Sequence, residues 1–378
     1  GNTGYFFDHN QIREEVLRGM SPLRKRHLHL QAVKALASVH GEKPELEAEY
    51  AYHFEEAGEV TRAFDSWLRA ADFARTRFSK SDRYFAYERA YTLFGRLPQN
   101  QLVEKIDELV SAWGNFAYDI SDVETCSKVY NLCLEIGEQT QDPVLLCNAW
   151  NGIARVHDMK LEVDAGIDAA KRAQFYCDRI DSLALKLETS ARLIILLSEK
   201  NEIRQATGIG EEALKSLTLV KSNREIDAMV VILTQLGLMY LISGWPRKAI
   251  EMADKGLNLS LLVKRRSAKV QAAAVLAAGQ YYSGEYQKAL QNALAVRDLA
   301  ERINYRWWLS FLDVLLGEVY LTQGDFDKSW AHSQLAIERE EPFAFGGIYS
   351  LGLSVRGDIY RLLGETQRAL QFFKKGME

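Results

Sequence analysis

The sequence has little of what enzymes, membrane proteins and secreted scaffolds are built around. Cysteine occurs only four times, at Cys126, Cys133, Cys147 and Cys177, with no C-x-x-C pair, and the seven histidines are scattered. That spacing gives no zinc-ligand set and fits a reducing compartment better than a disulfide scaffold. Proline is scarce, and each of the six is expected between helices or at a helix's first turn, where a missing N–H costs nothing. Phosphate-loop, H-E-x-x-H, G-x-S-x-G and D-x-D-x-D-G patterns are all lacking, so the chain reads as non-catalytic and without cofactor or metal. A net charge of -4 supplies no general attraction to nucleic acid or to anionic membranes. The apolar runs "AMVVIL" and "AAAVLAAG" fall well short of the ~18 residues of a membrane span. The opening "GNTGYFFDHN" lacks the regions of a secretory signal, so a cytoplasmic placement is the expectation. Runs of alternating strand residues are missing too, and helix-period patterns fill the chain.

What is present is repetition. "GLMYLISGWP" at Gly237, "GEVYLTQGDF" at Gly317 and "GDIYRLLGET" at Gly357 are near copies of one another. With Ala277 they stand in register at 40-residue steps. Seven residues on come Gly244, Gly284, Gly324 and Gly364, and five further on Ala249, Ala289, Ser329 and Ala369. Tyr240, Tyr320 and Tyr360 each follow the first column by three positions, while Gln280 breaks that pattern. Columns agreeing at one period mark a solenoid of stacked units.

Physical chemistry names the unit. A small residue with an aromatic three positions on puts both on one helical face, where the small one admits a neighbouring helix. The second glycine ends that helix, because glycine tolerates the left-handed conformation at a C-terminal cap. The third small residue lies on a returning helix. Each unit is therefore expected to be an antiparallel helix pair. The small–aromatic–Gly–Ala order resembles the tetratricopeptide repeat, lengthened beyond its usual 34 residues. The expected fold is all-α, a right-handed superhelical solenoid of about eight repeats over residues 43–378.

The register also runs backwards through Gly114, Ala154 and Ile194, with a three-residue slip before Gly237. Cys126, Gly166 and Ala206 then fall in the returning-helix column, and Cys133, Ala173 and Ala213 follow seven residues later. Cys126 and Cys133 thus read as small buried fillers. Ile194 departs from the small-residue column, and its unit is expected to pack irregularly. Ala51, Phe54, Gly58, Ala63 and Trp67 repeat the pattern upstream.

Residues 1–42 do not follow the repeat. They hold a strand-like scrap from Tyr5 to Phe7, then two helices, the second opened by Ser21 as N-cap and Pro22. Phe7, His9, Ile12, Arg13 and Glu14 form the run F-x-H-x-x-I-R-E, which resembles the close of the winged-helix domain in STAND signalling ATPases. The passage from "RHLHLQAVKALASVHG" into the first repeat resembles that family's entry into its helical sensor. The resemblance implies a carboxy-side fragment of a larger switch ATPase, whose helical array restrains an output domain until an inducer or partner binds. His9 would then match a phosphate-sensing histidine, the other reading being a histidine bonded within its own local fold. With no phosphate loop here, ATPase activity is not expected of this chain.

Stacked pairs coil so that the first helix of each lines the concave face. With the first small column as position eight, positions two, five, nine and twelve face inward. The resulting candidates for partner binding are Gln271, Tyr281, Phe311, Glu318, Asp358 and Arg361, the apolar members alternatively packing on neighbouring turns. The Lys and Asn pair that clamps a peptide carboxylate in some tetratricopeptide proteins is absent at positions five and nine. The expected partner is a protein or peptide, such as an amphipathic helix, or a small inducer. Neither a membrane nor nucleic acid is expected. Basic runs at 23–29 and 264–269, and the acidic run 338–341, read as solvated helix faces and ends. Two functions stay open: the sensor module of a STAND-type regulator, and a free-standing adaptor whose first residues cap the array.

Overall fold

The computed structural model describes residues 18–41, 43–77, 79–120, 122–262, 266–341 and 347–377. Among them there is no strand, and helices succeed one another along the whole length. Phe7, His9, Ile12, Arg13, Glu14, Lys264, Arg265 and Pro342 lie outside the described residues. The chain forms two compact units, residues 1–149 and 150–378, divided inside a helix.

In the first unit, α1 (Pro22–His40) opens as the sequence dictates. Pro22 stands at its first turn, and the Ser21 hydroxyl accepts the Arg24 N–H at 3.4 Å. The helices α2 (Glu47–Ala57) and α3 (Val60–Thr76) form a pair with Ala51 and Ala63 fully buried. Gly58 between them adopts φ +81°. A single helix, α4 (Lys80–Phe94), separates this pair from the next. The register column then passes through α5 (Leu102–Leu109), a π-helical turn at Val110–Gly114 and α6 (Asn115–Asp119). Its return is α7 (Val123–Thr140), where the Cys126 thiol donates to the Gly114 carbonyl at 3.9 Å.

Helix α8 (Pro143–Met159) runs from the first unit into the second. The second unit continues with α9 (Val163–Cys177), then the pair α10 (Leu183–Glu199) and α11 (Ile203–Leu214). The pair α12 (Asn223–Ile242) and α13 (Pro246–Ser260) follows, and then α14 (Arg266–Tyr282) and α15 (Tyr286–Arg302). The last pairs are α16 (Arg306–Thr322) with α17 (Phe326–Glu340) and α18 (Gly347–Leu362) with α19 (Thr366–Met377). First helices pack on one another in sequence, α12 on α14, α14 on α16, α16 on α18. Successive returning helices make no comparable contact among the described residues. The closer-spaced layer lies on the inside of a curved stack, so the first helices form its concave face.

The columns have the physical roles the sequence predicts. A β-carbon on Gly237 would fall 2.6 Å from Val275 Cγ1, and one on Gly317 would fall 3.3 Å from Val355 Cγ1. Ala249, Ala289 and Ser329 are fully buried on the returning helices. Gly244, Gly284, Gly324 and Gly364 all have positive φ, between +77° and +82°.

Ile194 is fully buried in the first-helix column. On the returning helices nearby, a β-carbon on Gly166 would meet Leu196 at 2.8 Å, and one on Gly210 would meet Leu236 at 2.6 Å. One expectation is corrected: the run 338–341 is not wholly solvated. Glu340 is buried, accepting from Arg306 at 2.8 Å and from the Ser310 hydroxyl at 2.7 Å. Helix α12 has the length and apolar composition of a membrane span, but most of that stretch is buried among its neighbours.

All four cysteines are buried. Burial, with Asp107 and Asp142 nearby, pushes the Cys133 thiol up to about 12.

Candidate functional site

The inner face of α14, α16 and α18 carries the candidate residues at two levels. Toward the helix starts, Gln271 donates from Nε2 to the Tyr305 hydroxyl. Phe311 stacks on Trp307 at 5.7 Å and meets Trp308 edge-on at 5.5 Å. Half-buried Phe311 belongs as much to the core as to the surface, whereas Leu351 is 45% exposed. This level is apolar.

Toward the helix ends the structure brings together Tyr281, Glu318, Asp358 and Arg361. The Tyr281 hydroxyl lies 3.2 Å from the Thr322 hydroxyl. Tyr282 donates to Glu318 Oε2 at 3.2 Å, and Arg361 pairs with Asp358 at 2.9 Å. Tyr281 packs edge-on against Tyr282, with centroids 5.0 Å apart, and tilted against Tyr286 at 5.7 Å. Burial first, and the charge of Asp358 second, push the Glu318 carboxyl up to about 7, against the lowering effect of the Tyr282 bond. Beside Tyr286 an open depression of about 470 Å³ is lined by residues 284–288, Thr322 and Gln323.

Gln271 and Phe311 therefore do not join the other four candidates. Tyr282, Tyr286, Thr322 and Trp307 escape a four-position rule: Tyr282 and Thr322 lie beside an inner position, Trp307 one turn before Phe311, and Tyr286 at the start of the returning helix α15. A further polar group lies upstream on the same face. Carrying the first column back to Ala154 puts Asn151, Arg155 and Asp158 at positions five, nine and twelve. Asn151 donates to the Thr189 hydroxyl at 2.8 Å, and Arg192 pairs with Asp158 at 2.6 Å. The Glu199 carboxyl, bonded to Asp158, is pushed up to about 8, by desolvation first and by Asp158 second.

A separate charged network lies away from this face. Fully buried Asp313 receives Arg297 at 2.7 Å, His332 at 2.8 Å and Arg339 at 3.0 Å. Burial alone would raise its pKa; the His332 and Arg297 bonds and the two guanidinium charges outweigh it and hold the carboxyl below its usual range. These pairs tie α16 to α15 and α17 and serve the stack. Among the described residues no three His, Cys, Asp or Glu side chains group as metal ligands would.

No family model matches the sequence, and no curated protein matches it. Solved structures do. A Rap protein complexed with competence and sporulation factor is 11% identical with a TM-score of 0.56, covering 85% of this chain and 97% of that one. The apo form of RapI is 13% identical with a TM-score of 0.54, covering 70% of this chain and 93% of that one. A signal-transduction ATPase with numerous domains and a tetratricopeptide-repeat sensor, from Pyrococcus horikoshii, is 15% identical with a TM-score of 0.52. That match covers 98% of this chain and 54% of the other. At such identities the likeness is one of fold, and the fold is the tetratricopeptide-like array of antiparallel helix pairs.

Proposed function

We propose that this chain is a non-catalytic, cytoplasmic sensor module that binds a peptide or protein segment along the inner face of its array. The observation that carries this reading is one layer of helices that carries two levels. Apolar Leu351, Phe311 and Trp307 stand toward the helix starts, and a hydroxyl- and carboxylate-bearing cluster of Tyr281, Tyr282, Glu318 and Asp358 stands toward the helix ends. Apolar anchors ringed by orienting polar groups are the makeup of a binding surface. In the STAND-type reading, residues 1–42 are the passage from an upstream switch domain and residues 43–378 the sensor. The ATPase with a repeat sensor supports it, since its likeness extends over nearly all of this chain. The free-standing adaptor is favoured instead by the two Rap structures, matched over 93% and 97% of their own lengths. A phosphate-loop motif upstream in the gene supports the first, and its lack there the second.

The groove is tested by Leu351→Asp and Arg361→Glu, each compared with the unaltered protein for thermal melting and for partner capture. Both side chains are exposed, so melting should be unchanged; capture should be lost with Leu351→Asp and altered with Arg361→Glu, which reverses the charge beside Asp358. Unaltered capture by both variants would move the binding site elsewhere.

A further inference from the structure

The polar level of the groove has a chemistry of its own. Two carboxylates stand here, Glu318 and Asp358, and the charge of Asp358 disfavours ionisation of Glu318. Around them stand three tyrosines whose rings meet at 69° and 57° rather than face to face, and Tyr282 and Tyr286 are exposed at 56% and 41%. The cations in reach are already engaged. Arg361 leans on Asp358 one turn away on the same helix, and Lys288 pairs with Glu285 at 2.6 Å. An anion would meet two carboxylates, and an apolar group would bury Glu318 further with only the Tyr282 hydroxyl bonded to it. A cation meets both demands, with opposite charge at the carboxylates and attraction to the faces of tyrosine rings.

We propose that this level takes a basic side chain, lysine or arginine, of the bound peptide, seated against Tyr281, Tyr282 and Tyr286 and drawn by Glu318 and Asp358. The proposal rests on the groove reading above and deepens it. The apolar level then receives residues beside the basic one, at Leu351, Phe311 and Trp307. A proton is linked to the event. Glu318 faces Tyr281 and Tyr282 from α14 and Asp358, itself paired with Arg361, from α18, and carries its proton up to about pH 7. A cation favours the ionised carboxylate, so seating it releases that proton. Affinity rises with pH through neutrality, by roughly tenfold between pH 6 and pH 8 if binding requires the ionised form.

The test uses the full chain as bait for a displayed library of random dodecapeptides, followed by affinity measurements on the selected peptides. The expected result is enrichment of Lys and Arg, with affinity that falls when the basic residue becomes norleucine or citrulline. Affinity should also fall for Glu318→Gln and Asp358→Asn, and Glu318→Gln should abolish the pH dependence. Peptides that lose binding to Leu351→Asp yet carry no basic residue, or bind Glu318→Gln equally well, overturn the basic-anchor proposal and leave the groove standing. Peptides indifferent to Leu351→Asp overturn the groove itself. A library yielding no binder overturns both.

Discussion

Gly237 of α12 lies against Val275 of α14 so closely that a single added methyl group would sit 2.6 Å from Val275 Cγ1. Two units later Gly317 faces Val355 at 3.3 Å and the Ser329 carbonyl at 3.5 Å. Gly237→Ala should therefore destabilise by ~1–3 kcal/mol through overpacking, and Gly317→Leu by more, because backbone as well as side chain must yield. Thermal melting decides it, and an unchanged midpoint for Gly317→Leu would show that the first helices do not meet there.

The cysteines make a chemical probe of the same packing. With all four buried and the Cys133 thiol at about 12, a thiol dye should label the native protein slowly and the denatured protein at once. Cys126 occupies the column position of Ser329, whose hydroxyl donates to the Gly317 carbonyl at 2.8 Å. Cys126→Ser should accordingly fold and melt close to the native protein. Fast native labelling of Cys126 or Cys133 would contradict their placement.

Arg356 breaks an apolar column. The equivalent positions one, two and three units earlier are Leu316, Leu276 and Leu236. Its guanidinium lies 3.2 Å from the Trp330 ring centroid and donates to Gln334, while Nε and Nη1 are buried without a partner. Burial draws its pKa down to about 10. Arg356→Leu should raise the melting temperature, by on the order of 1 kcal/mol of stability, since it removes a buried charge with unmet donors. A lowered midpoint would mean that the stacking on Trp330 outweighs those donors.

Two carboxylates should bend the stability curve in opposite senses. Asp313 has its pKa depressed in the fold, so its contribution is full above the unfolded value of ~4 and is lost as pH falls. Glu318 has its pKa raised, so between pH ~4.5 and 7 the folded state holds more proton than the unfolded, and stability falls as pH rises. Asp313→Ala should cost ~3–5 kcal/mol at neutral pH, stranding Arg297, Arg339 and His332. Glu318→Gln should melt higher than the native protein at pH 8 and nearly with it at pH 5. Melting curves across that range check both signs.

The fold was legible because the columns mark constraints that small residues meet: Gly237 and Ala249 a close approach of helices, Gly244 a left-handed turn. The site was legible in part. Glu318, Asp358 and Arg361 follow from counting along α16 and α18, as Asn151 and Asp158 do when the count is carried back. Tyr282 and Trp307 do not, since one lies a residue past position twelve and the other a full turn before position two. Asp313 within "LDVLLG" and Glu340 within "EREE" pair with residues 16 to 34 positions away, and such pairing leaves no periodic trace.

The left-handed turn that closes each first helix recurs where glycine does not. Leu161 adopts φ +61° and Asn201 φ +63°, and both turns bond as the glycine turns do. The Glu162 N–H reaches the His157 carbonyl, and the Glu202 N–H the Leu197 carbonyl. A leucine in that conformation carries ~1–2 kcal/mol of strain that glycine would not. Leu161→Gly thus recovers stability without touching the groove. An inventory of units drawn up from glycines alone would pass from Gly58 to Gly244 and miss the joints at Leu161 and Asn201, where the same hinge geometry persists.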